Sequence, residues 1–220
     1  DEAGLVAVLG IFYFGQDERV GDEQGVKTAV RNVCEWVLAT GLENVVIEVN
    51  NECDIPRYEH EILQPPRVHE LIELAKLVQS DAKRLLVGTS FTRRMTPPDP
   101  VISASDFILL HGNGITDPPE IGEKVRAVRE SNAYRGQPIA FNEDDHFDFD
   151  KPVNNFTVAL ANRAGWGFFD PGPGAGGRPA YGDYSAGYQN PPINWGLNDD
   201  RKKGFFRMLS EVTGQSSCIH

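Results

Sequence analysis

Hydrophobic and polar positions alternate along the chain with two different periods. Short apolar runs rich in Val, Ile, Leu and Phe predict six strands, at residues 5–14, 44–49, 84–89, 106–110, 138–141 and 165–169. Apolar residues at helical spacing predict five helices, at 22–40, 68–80, 121–131, 154–164 and 200–213. The proline-rich stretch 91–105 is predicted to be a loop with at most one turn of helix. Strands that alternate with helices are typical of βα units, so we predict an α/β fold with a parallel sheet.

Polar and aromatic side chains gather at the carboxyl end of nearly every predicted strand. The active site of a parallel α/β barrel is built at that face, from the loops that follow the strands. The pattern therefore predicts a TIM-barrel-like fold with a site at this face. In chain order the strand ends carry Tyr13 to Gln16, Asn50 to Glu52, Thr89 to Phe91, His111 to Asn113, Asn142 to His146, and Trp166 with Asp170.

Fewer strands are predicted than a closed barrel requires. Such a barrel has eight strands and typically about 250 residues, whereas this chain has 220 residues and six predicted strands. Because residues 1–4 lead almost directly into a strand, we expect two βα units to be absent at the front. We therefore expect a single partial barrel over residues 1–220. The exposed edges of its parallel sheet need cover, which predicts a homodimer.

Composition and charge narrow the classes of partner. The apolar fraction of 40% and the net charge of −11 fit a globular domain and argue against binding to nucleic acid phosphates. No apolar run approaches the roughly 18 residues of a membrane helix, and no signal-peptide pattern opens the chain. Three cysteines, Cys34, Cys53 and Cys218, are odd in number and lack metal-ligand spacing, so we expect free thiols.

The segment 170–198 is rich in glycine and proline and then in aromatic residues. One interpretation is a mobile surface loop. The other is a lid whose aromatic side chains cover a bound sugar. These side chains are Tyr181, Tyr184, Tyr188 and Trp195.

Two carboxylates stand out by their position at strand ends. Glu52 follows Asn51 after the second predicted strand, and Glu143 follows Asn142 after the fifth. Three βα units separate them, so in a barrel they would face each other across the mouth. Hydrolysis of a glycosidic bond with retention needs such a pair. One carboxyl protonates the leaving oxygen, and the other, about 5 to 5.5 Å away, attacks the anomeric carbon.

The order of these motifs resembles the clan of retaining (β/α)8 glycoside hydrolases that includes the family 5 cellulases and mannanases. The resemblance rests on Asn51 with Glu52 at one strand end, Glu143 three units later, and Trp166 on the next strand. It implies that the six strands correspond to strands three to eight of that barrel. Glu52 would be the acid/base and Glu143 the nucleophile. Asn51 would hold the sugar 2-hydroxyl, and Trp166 would be the platform under the sugar.

Further substrate contacts are predicted at the other strand ends. His111 lies where the clan often has a histidine on strand six, and Asn113 stands where it usually has a tyrosine that holds the nucleophile. Tyr13 and His146 are also predicted to contact the sugar. The arginine that the clan carries on strand two has no counterpart here. The resemblance implies no cofactor and no metal.

Each of these residues also has a structural interpretation. Glu52 could cap a helix or form a surface ion pair. Glu143 begins an acidic run that could be a solvated or calcium-binding loop. His111 could be a hydrogen-bonded core histidine, and His146 could balance neighbouring aspartates. Trp166 could be a buried core tryptophan.

Three functions follow from these alternatives. The leading one is a retaining glycoside hydrolase that acts on β-linked glucose- or mannose-type glycans, with activity lowered by the missing strands. The second is a carbohydrate-binding protein that keeps the mouth of the barrel without the chemistry. The third is a metal-dependent barrel hydrolase that uses His111, Glu143, Asp145 and His146. The resemblance slightly favours a secreted or periplasmic location. The lack of a signal-peptide pattern leaves the compartment open, because a signal peptide would belong to the missing front.

Overall fold

The computed structural model describes residues 4–146, 148–169, 197 and 200–214. Strands and helices alternate along these residues, which confirms the predicted α/β pattern. The first half contains β1 (Ala7–Phe12), α1 (Glu23–Thr40), β2 (Val45–Asn50), α2 (Val68–Leu77), β3 (Val87–Gly88), β4 (Ser90–Phe91) and α3 (Asp99–Ala104). The second half contains β5 (Ile108–His111), α4 (Pro119–Glu130), β6 (Ile139–Asp144), α5 (Asn155–Ala161), β7 (Gly165–Phe168) and α6 (Asp200–Thr213).

The described strands are all parallel to their neighbours and lie side by side in chain order. One sheet has the order β1-β2-β3 and the other the order β4-β5-β6-β7. A doubly wound sheet reverses its strand order at a switch point, whereas a barrel adds each new strand to the edge of the last one. The fold is therefore a partial TIM-barrel-like α/β fold, as the sequence predicts.

The third predicted strand, 84–89, forms in two pieces and ends two residues later than expected. β3 pairs with β2, whereas β4 pairs with β5. Thr89 separates them, and its hydroxyl donates to the backbone oxygen of Asn50 at 2.7 Å. The two sheets therefore meet at this broken strand. The break brings Ser90 beside the end of β2, where the site lies.

Local sequence signals set the helix ends. Asp22 caps α1 by accepting a hydrogen bond from the backbone N–H of Gly25 at 2.7 Å, and Asn154 caps α5 in a capping box with Thr157. In the stretch predicted to be a loop with at most one turn, α3 spans six residues. That prediction is wrong because Pro100 lies in the first helical turn, where proline is favourable and costs no hydrogen bond.

Two apolar clusters form the core. The first packs α1 and α2 against β2 and β3, with Val30, Ile47, Leu71 and Val87 fully buried. The second packs α4 against β5 and β6. Cys34 and Cys53 are buried free thiols, and Cys218 lies outside the described residues. Within the described part of the chain, the helices are too short or too polar to cross a membrane.

Candidate active site

A register shift at the ends of β5 and β6 shapes the site. Leu110 pairs with Phe141, but His111 pairs with Glu143, so the pairing skips Asn142. Such a bulge adds a residue to one strand and re-aims the side chains that follow it. Glu143 is thereby placed opposite His111, and β6 extends beyond its predicted end at residue 141.

Gly112 makes this close approach of the two strands feasible. Its backbone N–H donates to the backbone oxygen of Glu143 at 2.8 Å. A Cβ atom at this position would collide with the carboxylate of Asp144. A glycine is therefore needed between His111 and Asn113, because a side chain there would push the strand ends apart.

His111 joins the two predicted catalytic carboxylates. Its buried Nδ1 lies 3.0 Å from Oε1 of Glu52 and 3.7 Å from Oε2 of Glu143. These two oxygens can be no farther apart than the sum of both distances, 6.7 Å. The fold therefore brings together two carboxylates that stand 91 positions apart in the chain. Their roles as acid/base and nucleophile stay predictions.

The surroundings of His111 favour its protonated form. Burial by itself would lower the pKa of this imidazole. The hydrogen bond to Glu52 and the charges of Glu143, Glu52 and Glu48 outweigh that effect, so the pKa is raised. The ring of His111 holds the side chain of Glu52 through this hydrogen bond, and its charge near Glu143 reduces the repulsion between the two carboxylates.

The backbone of Glu52 is held in an unusual conformation. Its φ of 46° lies in the left-handed region, which costs a non-glycine residue on the order of 1–3 kcal/mol. The N–H of Glu52 donates to Oγ of Ser90 at 2.8 Å, and the N–H of Cys53 donates to the backbone oxygen of Ser90 at 3.0 Å. Hydrogen bonds from the neighbouring strand thus hold Glu52 in this strained position. Such strain is typical of functional sites.

Glu143 is held from the loop that follows β5. The side-chain Nδ2 of Asn113 donates to Oε1 of Glu143 at 2.6 Å. The next residue, Gly114, is fixed in turn because its N–H donates to Oδ1 of Asp145 at 2.7 Å. Asn113 therefore orients one oxygen of Glu143, while His111 lies near the other.

Asn51 and Tyr13 also lie at this face. The hydroxyl of Tyr58 donates to the backbone oxygen of Asn51 at 2.5 Å, whereas the side-chain amide of Asn51 makes no hydrogen bond to the described residues. Tyr13 is 49% exposed. Burial raises its pKa, and the charges of Glu143 and Glu52 add to this effect. Both residues are free to contact a ligand, and their substrate contacts stay predictions.

Trp166 is packed into an aromatic cluster next to the site. Its ring lies 5.9 Å from Phe149, 5.6 Å from Phe156 and 5.8 Å from Phe205, measured between centroids. Its Nε1 donates to Oδ2 of the buried Asp144 at 2.8 Å. These are the contacts of a packed aromatic side chain. The predicted role as a sugar platform stays a prediction, and the proposed lid residues Tyr181, Tyr184, Tyr188 and Trp195 lie outside the described residues.

His146 is directed away from the carboxylate pair. Its Nδ1 lies 3.2 Å from the backbone oxygen of Ile115, and its Nε2 lies 3.6 Å from Asp148. Of the residues of the metal-dependent alternative, His111 and Glu143 lie close together, whereas the side chain of His146 contacts Ile115 and Asp148. Among the residues with a described position, no three His, Cys, Asp or Glu side chains are arranged to hold a metal ion.

Two residues of the site were missed by sequence reasoning. Ser90 lies at a predicted strand end, but its contact with Glu52 was not predicted because it depends on the break in the third strand. Glu48 could have been found from the sequence, since it is the charged residue within the apolar run of β2. It is only 7% exposed, and its Oε1 has no hydrogen-bond partner among the described residues. Burial raises the pKa of Glu48, and the charges of Glu143 and Glu52 add to this, while Ser90 and His111 oppose it.

Replacing Glu48 with glutamine is expected to stabilise the protein more at high pH than at low pH. A raised pKa in the folded state means that the stability contributed by Glu48 is fully present below its unfolded pKa of about 4.3 and is lost as the pH rises through the folded pKa. Glutamine stays neutral throughout. The free energy of unfolding, measured by urea denaturation from about pH 4 to 8, should therefore rise in E48Q relative to wild type as the pH increases. The exposed Glu35→Gln is the control, and a pH-independent difference for E48Q would contradict the expectation.

The fold places the chain in the class of α/β proteins with a TIM-barrel-like parallel sheet. No protein-family model matches the chain, and no curated protein matches it. It is similar to the solved structure of ScGas2 in complex with compound 6, with a TM-score of 0.53, 11% sequence identity and 100% of this chain covered. A GH39 β-xylosidase from Caulobacter crescentus matches with a TM-score of 0.46 and 15% identity over 66% of this chain. The chain spans 55% of the former and 37% of the latter. At 11% identity, the likeness to ScGas2 concerns the fold alone.

Proposed function

We propose that this protein is a retaining glycoside hydrolase that cleaves β-linked glycans, with Glu52 as acid/base and Glu143 as nucleophile. One observation carries the proposal: both carboxylates converge on His111 at the carboxyl ends of parallel strands, at 3.0 and 3.7 Å from its Nδ1. The limit of 6.7 Å on the distance between their oxygens includes the separation of about 5 to 5.5 Å that retention needs.

The reaction would proceed in two displacements. In the first, protonated Glu52 gives its proton to the glycosidic oxygen while the carboxylate of Glu143 attacks the anomeric carbon. The bond to the leaving group breaks, and an ester forms between Glu143 and the sugar. In the second, Glu52 takes a proton from water, the water oxygen attacks the same carbon, and the ester breaks. Two inversions restore the original configuration.

The residues around the pair would position it for these steps. Asn113 orients Glu143 through the hydrogen bond at 2.6 Å, in the place where the resembling clan usually has a tyrosine. Ser90 fixes the backbone of Glu52, and His111 fixes its side chain. Groups held in advance at the reacting positions lower the barrier without reorganising during the reaction.

We further propose that the strands of this chain correspond to strands three to eight of the family 5 type of barrel, and that the substrate is a glucose- or mannose-type β-glycan. The order of the site residues along the chain supports this correspondence. Asn51 and Glu52 follow β2, His111 ends β5, and Glu143 lies on β6.

Hydrolysis of aryl β-glucosides and β-mannosides by the wild type and by Glu143→Ala tests the proposed function. The wild type should release the phenol at a rate well above that of the variant. Circular dichroism spectra of both proteins would establish that the variant folds. Equal and negligible rates would reject the enzyme and favour a carbohydrate-binding protein that lacks the chemistry.

A further inference from the structure

A cavity of about 400 Å³ adjoins the carboxylate pair. Its lining includes Glu52 and Asn113 from the site, and Arg93 and Arg94 from the segment that follows β4. Its volume falls in the range of small-molecule sites, which is roughly 300 to 1,000 Å³. A ligand bound at the carboxylates would therefore extend directly into a space that two guanidinium groups line.

Neither arginine is neutralised within the described residues. No carboxylate in this part of the chain lies within 4.0 Å of the side chain of Arg93 or Arg94, although the chain has 32 acidic and 21 basic residues. Other arginines behave differently. Arg67 pairs with Glu23 and Glu70, and Arg84 pairs with Asp106. Both guanidinium groups of the cavity are therefore available to a ligand.

The segment that carries the two arginines is braced from both sides. On one side, Asp54 accepts hydrogen bonds from the backbone N–H of Thr92 at 2.8 Å and from its hydroxyl. Both oxygens of Asp54, which also lines the cavity, are thus engaged by Thr92. Thr92 in turn accepts from the N–H of Arg94 at 3.1 Å.

On the other side, a buried lysine holds the backbone of Arg93. Lys124 is 9% exposed, and its Nζ donates to the backbone oxygen of Arg93 at 2.8 Å. Burial lowers the pKa of this lysine, because it disfavours the charged form. A side chain of α4 therefore fixes the backbone at Arg93.

The charges of the site explain why such arginines would be needed. Glu52 and Glu143 would repel a negatively charged sugar at this mouth, whereas a neutral sugar needs no cation. Guanidinium groups bind carboxylate and sulfate oxygens with paired, charge-assisted hydrogen bonds. We propose that this cavity binds a sugar with an anionic substituent, a uronate carboxylate or a sulfate ester, through Arg93 and Arg94. This inference rests on the proposed glycoside hydrolase function and specifies the class of its substrate.

Calorimetric titration with a matched pair of disaccharides tests the inference. Cellobiose and cellobiouronic acid differ by the replacement of one hydroxymethyl group by a carboxylate. The titrations use the full chain with Glu143→Gln, which prevents turnover. At low ionic strength we expect cellobiouronic acid to bind about tenfold more tightly than cellobiose. The preference should weaken as salt is added, because salt screens exposed charges.

Substitution of the arginines identifies the groups responsible. In the double variant with Arg93→Gln and Arg94→Gln, the preference for the acid over cellobiose should disappear. Arg126→Gln, which removes an exposed arginine from α4, should leave the preference unchanged. A third ligand, cellobiose sulfated at the same carbon, separates the two anions: tighter binding than that of cellobiouronic acid assigns the site to sulfated sugars.

Two results would overturn the inference, and they differ in what else they reject. In the first, cellobiose binds or the wild type hydrolyses it, but the acidic ligands bind no more tightly than cellobiose, or the protein still prefers them in the double variant. The anionic substrate class is then wrong, and the proposed function stands. If none of the disaccharides binds and the wild type hydrolyses no glycoside, both proposals fail together.

Discussion

Replacing Glu143 with glycine is expected to lower kcat for aryl β-glycosides by on the order of 10⁴-fold or more, because the variant lacks the group that forms the glycosyl ester. Added azide should restore part of this rate. The space left by the side chain admits the anion on the face of the sugar from which Glu143 would attack, and Glu52 still protonates the leaving group. The product should be the α-glycosyl azide, which NMR distinguishes from the β-anomer by its anomeric coupling.

The matched control for this variant is Glu123→Ala, which removes an exposed carboxylate from α4. It should leave kcat unchanged and should give no response to azide. The β-glycosyl azide as the product of Glu143→Gly would contradict a nucleophilic role for Glu143. A Glu143→Gly variant that retains the rate of the wild type without azide would also contradict this role.

Replacing Glu52 with alanine is expected to have an effect that depends on the leaving group. For substrates with poor leaving groups, kcat/KM should fall by about 10² to 10⁴-fold, since general acid catalysis contributes this much. For 2,4-dinitrophenyl glycosides, which leave without protonation, kcat/KM should change little. The second step should still be slow, because no base activates water. Azide needs no base, so it should accelerate turnover and give the β-glycosyl azide.

Glu52→Gln is the companion variant, since it keeps the size of the side chain and a hydrogen-bonding oxygen near His111. It should lose activity on poor leaving groups to a similar degree as Glu52→Ala. Equal losses for good and poor leaving groups in Glu52→Ala would show that the residue acts through structure and not as an acid. The opposite anomers of the two azide products would assign the two carboxylates independently of each other.

The sequence alone determines the order of strands and helices, because the hydrophobic period that defines each element is a local property. Helix α6 was predicted with its observed bounds, 200–213. The caps at Asp22 and Asn154 are also local, since each side chain bonds to a backbone group three residues away. The sequence likewise places Glu52 and Glu143 at strand ends, and parallel strands bring such ends to one face.

Two of the predictions failed where an element depends on a distant neighbour. The third strand breaks at Thr89 because its two halves pair with different strands, β2 and β5. The hydrophobic pattern of residues 84–89 does not indicate which strands will pair with it. The same holds for β6. Its extension to Asp144 and the skipped Asn142 follow from pairing with β5, across about 30 residues of chain.

Only the tertiary structure decided how the site is assembled. His111 and Glu52 are 59 positions apart. They meet near the point where the third strand breaks at Thr89 and where the pairing of β5 with β6 skips Asn142. Burial of Glu48 and the lack of a carboxylate partner for Arg93 and Arg94 also arise from what surrounds each side chain. Residue types and the local spacing of hydrophobic residues are properties of the sequence, whereas strand register, burial and side-chain pairing depend on contacts between distant segments. The two carboxylates could therefore be predicted from the sequence, whereas the distance between them depends on the fold.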